Sequence, residues 1–158
     1  MCSIVEATTP EQIEQVRNLF LEYRAQLPND YCFQKFDAEI AGLPGDYAPP
    51  KGRLFLASVV GQPVGCIGLR PFPLEGTCEM KRLYVRTGFR GGKLGRKLVE
   101  RLLEQACALG YRSMRLDSYR PSMQAAIELY RKFGFHEIGA EPLEPTEGLI
   151  YMEMPLRV

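Results

Sequence analysis

Residues 89–98 read FRGGKLGRKL, three glycines and four cations at the entry to an amphipathic helix. Glycine costs backbone entropy and helix propensity, and clustered like charges repel. A bound anion makes both tolerable. The first turn of a helix has N–H groups without intrahelical partners and carries about half a positive charge. Glycines let that backbone approach a diphosphate with no Cβ in the way. The chemistry offered is therefore phosphate binding, and the plain alternative is a solvated basic loop capped by glycines. Two familiar phosphate motifs do not fit. A P-loop needs Gly at 87 and Ser or Thr at 94, where the chain has Thr87 and Leu94. A Rossmann fingerprint cannot be laid over these glycines.

Other reactive side chains are sparse. His136 is the only histidine, and a lone His on a short strand is more often structural. The five cysteines (Cys2, Cys32, Cys66, Cys78, Cys107) form no CxxC pair. That argues against a disulfide framework or zinc site and for a reducing, cytoplasmic compartment. No cluster has metal-ligand spacing, so no metal is expected. At 158 residues, with 46% apolar and 25% charged, the chain fits one globular domain over residues 1–158. The net charge is only +1, but residues 81–101 hold eight cations and one anion, 8 − 1 = +7. A local positive field in a near-neutral molecule suits a small anionic ligand better than a nucleic acid. No signal peptide and no apolar run of membrane-spanning length is evident, so no membrane partner is expected.

The elements that must position these groups follow from pattern. SIVEAT alternates as a strand, then Thr9 and Pro10 open a helix with Ile13, Val16, Leu19, Phe20 and Tyr23 on one face. Residues 28–52 read as irregular, with a short helix near Phe36–Ala41. Two β-rich runs around GQP predict a hairpin, and TCEMKRLYV the next strand. Leu94, Leu98, Leu102 and Ala106 define a helix stopped by Gly110, and SMRLDSY another strand. A second helix carries Met123, Ala126, Ile127, Tyr130 and Phe133 on one face and stops at Gly134; FHEIG and LIYMEM close the sheet. The fold class is α+β, with about six or seven mostly antiparallel strands and about four helices.

One strand breaks its own parity. In TCEMKRLYVR, Cys78 and Met80 are apolar on one parity, Leu83 and Val85 on the other. A β-bulge near Lys81–Arg82 restores a single buried face; a strand buried on both faces is the alternative.

RGGKLG at Arg90–Gly95 resembles the R/Q-x-x-G-x-G/A pyrophosphate loop of the GNAT superfamily of N-acetyltransferases. The surrounding run EMKRLYV…YRSMRLD is similar to that superfamily's acyl-CoA unit, and AAIELYRKFGF to its next helix and turn. The resemblance implies acetyl-CoA as cosubstrate, a sheet splayed at the fourth strand, and acetyl transfer to a primary amine by direct attack. It assigns cofactor contacts to Leu83, Tyr84, Val85, Arg90, Gly91, Gly92, Lys93, Leu94, Gly95 and Arg96. Glu79 matches the position of a general base, Tyr130 that of the acid that protonates the departing sulfur, and the Leu83 N–H that of an oxyanion donor. Two positions depart from the pattern: Lys93 stands where Gly is preferred, and Met123 where many relatives carry an Asn, so any polar contact that Asn provides is absent here. The acceptor side is assigned to residues 31–37 with Arg70 and Phe72. A monomer or homodimer is expected, and a non-catalytic acyl-CoA sensor is the alternative function.

Overall fold

A computed structural model describes residues 1–27, 33–120 and 123–157. The chain runs β1 (Cys2–Glu6), α1 (Pro10–Ala25), α2 (Phe33–Ala41), β2 (Arg53–Val59), β3 (Gln62–Pro71), β4 (Thr77–Val85), α3 (Leu94–Ala108), β5 (Ser113–Tyr119), α4 (Gln124–Phe133), β6 (His136–Ile138) and β7 (Leu149–Pro155). Short 3₁₀ turns lie at Gly45–Tyr47 and Thr87–Gly92. One seven-stranded sheet has the order β1-β2-β3-β4-β5-β7-β6. Every neighbouring pair is antiparallel except β4 and β5, which α3 joins as a crossover. This is the expected α+β sheet flanked by four helices.

Local chemistry explains the boundaries. Thr9 caps α1 with its hydroxyl on the Gln12 N–H, the Gln12 amide oxygen answers on the Thr9 N–H, and Pro10 occupies the first turn. Helix α4 ends at Gly134, whose φ of 112° no β-carbon tolerates comfortably. The β2–β3 hairpin turns at Val60 and Gly61, both at positive φ, so Gln62 and Pro63 of the expected GQP turn already belong to β3.

The sheet separates two cores. Leu98, Val99 and Leu102 of α3 and Ile127 of α4 pack with Cys78, Met80 and Val85 on one face. Val16, Leu19 and Phe20 of α1 and Phe36 of α2 pack with Tyr47 and Tyr84 on the other. Cys78, Met80 and Val85 share a face despite their opposite parity because β4 contains the bulge. Cys66 pairs with Tyr84 and Gly68 with Lys81, so two β4 residues, Arg82 and Leu83, oppose Ile67 alone. Arg82 takes up the extra residue in the left-handed region, at φ 62°.

Gly68, on β3, lies beneath the Tyr47 ring, and a Cβ there would come within 2.6 Å of it. Tyr47 is fully buried against Phe20 and cannot swing aside. Gly68→Ala is expected to cost about 2 kcal/mol, a fall of roughly 4–8 °C in a thermal melt. An unchanged melting temperature would show that this contact does not constrain the wall formed by Tyr47.

Candidate active site

Beyond Glu79 the sheet opens. β4 and β5 pair only at Thr77–Ser113, Cys78–Met114 and Glu79–Arg115, and past that point no ladder joins them. The bulge and the opening fall in the same strand, so the backbone from Lys81 to Val85 faces a cleft where a neighbour would otherwise sit. A small cavity of about 90 Å³ lies there, lined by Leu83 and Arg82 of β4, Leu116 and Asp117 of β5, and Met123 and Tyr130 at α4. Tyr130 is 7% exposed and meets Phe135 edge-on at 5.9 Å. Burial, with Tyr23 and Asp117 nearby, raises its phenol well above the ordinary value, so it keeps its proton at neutral pH. Met123 has polar contacts of its own: its sulfur accepts from the Ser118 hydroxyl at 3.3 Å and the Tyr119 N–H at 3.4 Å.

Past the end of β4 the chain enters the glycine turn and α3. No side chain caps the α3 N-terminus, where Lys93 sits at φ 61° and ψ 22°. That left-handed conformation explains why Gly is preferred at this position. Gly91 and Gly92 have no such constraint. Both lie outside the positive-φ region, and a Cβ built on either meets no atom within 4 Å. Neither backbone conformation nor internal packing demands glycine there. Leu94 is buried and anchors the turn to the core. The cations divide. Arg96 pairs with Glu100 at 3.0 Å, while Arg90 turns back along β4, its Nε on the Val85 carbonyl at 2.7 Å and its guanidinium 5.9 Å from the Tyr84 ring centre. Lys93 and Lys97 are exposed at the turn.

A larger cavity of about 650 Å³ adjoins the cleft and shares Lys81, Arg82, Asp117, Tyr119 and Leu149 with it. An alternating chain of charge runs along its wall. Lys81 Nζ lies 3.4 Å from Asp117 and 3.8 Å from Glu79. Arg70 Nε is 3.0 Å from Glu79, and its Nη1 is 3.4 Å from Glu39. Glu39 accepts from Arg82 twice at 2.9 Å and from the Tyr47 hydroxyl at 2.8 Å. Burial pushes the Glu39 carboxyl up, but Arg82, Tyr47 and Arg70 together hold it below the usual carboxylate range. Glu79 is 5% exposed and sits behind Arg70 and Lys81.

Of the expected acceptor residues, Phe36 and Arg70 line this cavity, as does Lys35. Residues 31 and 32 lie outside those described. Phe72 does not line it: β3 ends at Pro71, and Phe72 packs under the Arg115 guanidinium at 4.6 Å beside a different, proline-lined hollow. Sequence reasoning missed Glu39, Tyr47, Asp117 and Thr146. Asp117 was legible in principle, since Arg115, Asp117 and Tyr119 alternate with Met114 and Leu116 along β5. Among the described residues no acidic, His or Cys group is arranged to hold a metal, and no helix is long and apolar enough to cross a membrane.

A strand, glycine turn and helix beside a splayed β4–β5 pair define the architecture, and sequence comparison identifies the class. The model of the acetyltransferase (GNAT) family matches residues 13–135, and the chain belongs to that family. It is similar to an uncharacterised N-acetyltransferase of Schizosaccharomyces pombe, 36% identical over 98% of this chain and 94% of the relative. Its fold resembles a Staphylococcus aureus GNAT acetyltransferase at a TM-score of 0.81, with 18% identity over 99% of this chain and 100% of that one. It also resembles the PaiA N-acetyltransferase of Thermoplasma acidophilum, solved in complex with coenzyme A, at a TM-score of 0.74, with 16% identity over 98% of this chain and 99% of that one.

Two outcomes follow from this geometry. Gly91→Ala and Gly92→Ala should leave the melting temperature unchanged or slightly raised, because the added methyl meets no protein atom and restricts the unfolded chain. Both should nevertheless raise the KM for acetyl-CoA by roughly tenfold or more; unchanged KM values would leave the solvated-loop reading standing. Alkylation separates the cysteines. Cys78 is fully buried, and burial pushes its thiol up to about 12; Cys66 is likewise buried and raised. Iodoacetamide at neutral pH should label exposed Cys2 in the native protein and spare Cys66 and Cys78, as read by peptide mass mapping. Rapid labelling of Cys78 would contradict its burial.

Proposed function

We propose that this protein transfers an acetyl group from acetyl-CoA to a primary amine by direct attack within a ternary complex. The observation that supports it best is the β4–β5 opening, with Leu83 on one side, Tyr130 on the other, and the glycine turn at its end. Acetyl-CoA, when bound, supplies the acetyl group as a thioester. The residues that would hold it are the N–H groups of Gly91, Gly92, Lys93, Leu94, Gly95 and Arg96 for the diphosphate, with Lys93 and Arg96 adding charge. Arg90 belongs to the same set by position, its side chain bracing the end of β4 from within. The backbone of Leu83, Tyr84 and Val85 faces the opening and would take the extended arm as an added strand.

The chain's own groups then divide the proton work. A primary amine is mostly protonated at pH 7, so it must lose a proton before it attacks. Glu79 takes that role, with a water passing the proton from the cavity because its carboxylate lies behind Arg70 and Lys81. Lys81 and Arg82, at the junction of the two spaces, favour the neutral amine over the ammonium. The Leu83 N–H stabilises charge developing on the acyl oxygen. As the carbon–sulfur bond breaks, the Tyr130 hydroxyl gives its proton to sulfur; its raised pKa keeps that proton available. The unpaired thiols of Cys66 and Cys78 support a reducing, cytoplasmic setting.

Calorimetry should give saturable acetyl-CoA binding, and absence of binding removes the reading. Tyr130→Phe should lower kcat by about 10²–10⁴ with little change in KM for acetyl-CoA. Glu79→Gln should lower kcat/KM by a similar factor with little change in melting temperature, whereas a purely structural ion-pair role would lower the melting temperature and spare kcat. Tight binding with no turnover of any amine would favour a non-catalytic acyl-CoA sensor.

A further inference from the structure

The large cavity is lined by charges of both signs. From the sheet it receives Arg70, Lys81 and Arg82 against Asp117, 3 − 1 = +2, with Glu79 not reaching its surface. From α2, the Gly45–Tyr47 turn and the β6–β7 loop it receives Lys35 against Glu39, Asp46 and Glu147, 1 − 3 = −2. A space of about 650 Å³ lined by charges of both signs suits a small ligand bearing both signs better than a plain hydrocarbon amine.

The three sheet cations are not equally occupied. Arg82 is 8% exposed, gives two hydrogen bonds to Glu39, and lies 3.9 Å over the Phe36 ring. Lys81 is also 8% exposed and shared between Asp117 and Glu79. Both line the junction with the cleft, where the reacting nitrogen has to be. Arg70 differs on every count. It lines the large cavity only, and its side chain is 26% exposed. Its Nε serves Glu79, its Nη1 makes a long contact to Glu39, and its Nη2 has no hydrogen-bond partner among the described residues. It stands opposite Glu79 in the β3–β4 register, and the 3.0 Å bond from its Nε to that carboxylate orients the guanidinium. A planar donor fixed in this way, away from the reacting end, is suited to a carboxylate.

We infer that the acceptor is an amine that also carries a carboxylate, and that Arg70 binds this carboxylate while the amine reaches the junction at Lys81. The inference rests on the acetyl-CoA-dependent amine acetylation proposed above. An acceptor without an anion leaves the Arg70 guanidinium desolvated and its outer nitrogen unpaired, a penalty the protein charges against the wrong substrate.

The test follows CoA thiol release with a panel of α- and β-amino acids, each paired with its own carboxamide, and with phosphoethanolamine. At least one acid should exceed its amide in kcat/KM by about tenfold or more, the scale of one charge-assisted hydrogen bond. Arg70→Gln should bring that ratio close to one, mainly through KM for the acid, and Arg70→Lys should retain part of it. The ratio is the informative quantity, because Arg70 also touches Glu79 and any damage to the base lowers both members of a pair alike. Equal turnover of acids and amides in the unmodified enzyme overturns this inference alone. So does a preference that survives in Arg70→Gln, or turnover confined to phosphoethanolamine. No turnover of any acceptor by a protein that binds acetyl-CoA overturns both this inference and the acetylation reading beneath it.

Discussion

Arg82 is the residue on which the sheet's function turns. Its backbone sits at φ 62° and absorbs the extra residue of the β4 bulge, a conformation that costs an L-residue roughly 1–2 kcal/mol. Its side chain leaves on the opposite face, pairs bidentately with Glu39 and covers the Phe36 ring. Removing one partner of a buried pair typically costs about 3–5 kcal/mol, more than the backbone strain. The two halves of the residue therefore support each other. The anchor on α2 holds the left-handed turn, and the turn aims the guanidinium at α2. One residue opens the sheet and fixes the wall of the adjoining cavity.

That coupling divides what the sequence made legible from what it did not. The parity slip between Met80 and Leu83 is visible in nine residues of one strand, because alternation is a local property. The helix stops at Gly110 and Gly134 are equally local, and both adopt positive φ. The cavity wall is not local. Glu39 meets Arg82 across 43 residues and Arg70 across 31, and no spacing rule carries such distances. Thr146 and Glu147 reach the same space from the β6–β7 loop. Phe72 was misplaced for a related reason. The strand pattern continues through RPF, but the ladder ends at Pro71 and the next residue turns toward Arg115.

Glycine shows the same division within one residue type. At Gly68 the protein itself forbids a side chain, since the Tyr47 ring lies 2.6 Å from where a Cβ would be. At Gly91 and Gly92 nothing in the protein lies within 4 Å. Sequence alone treats these glycines identically. Only the packing shows that one answers to the core, while the other two meet no constraint inside the chain. Lys93 belongs to a third kind, a side chain accepted at a left-handed position where its charge faces the same open space. The strain there is local, at most a few kcal/mol, and a diphosphate held by several N–H groups and a cation can offset it.

The alternating charges along the cavity wall also bear on how the acceptor is activated. Asp117, Lys81, Glu79, Arg70, Glu39 and Arg82 neutralise one another, so the wall as a whole exerts little long-range field. Its effect is therefore short-ranged and decided by which charge reaches the surface. At the junction with the cleft Lys81, Arg82 and Asp117 do, and Glu79 does not. In the mechanism proposed above, an incoming ammonium meets Lys81 and Arg82 beside Asp117, and Glu79 receives its proton through water. Deeper in the cavity Arg70 presents its unshared edge. Under the inference drawn above, the same network sorts the two ends of the acceptor, amine toward the thioester and anion toward Arg70.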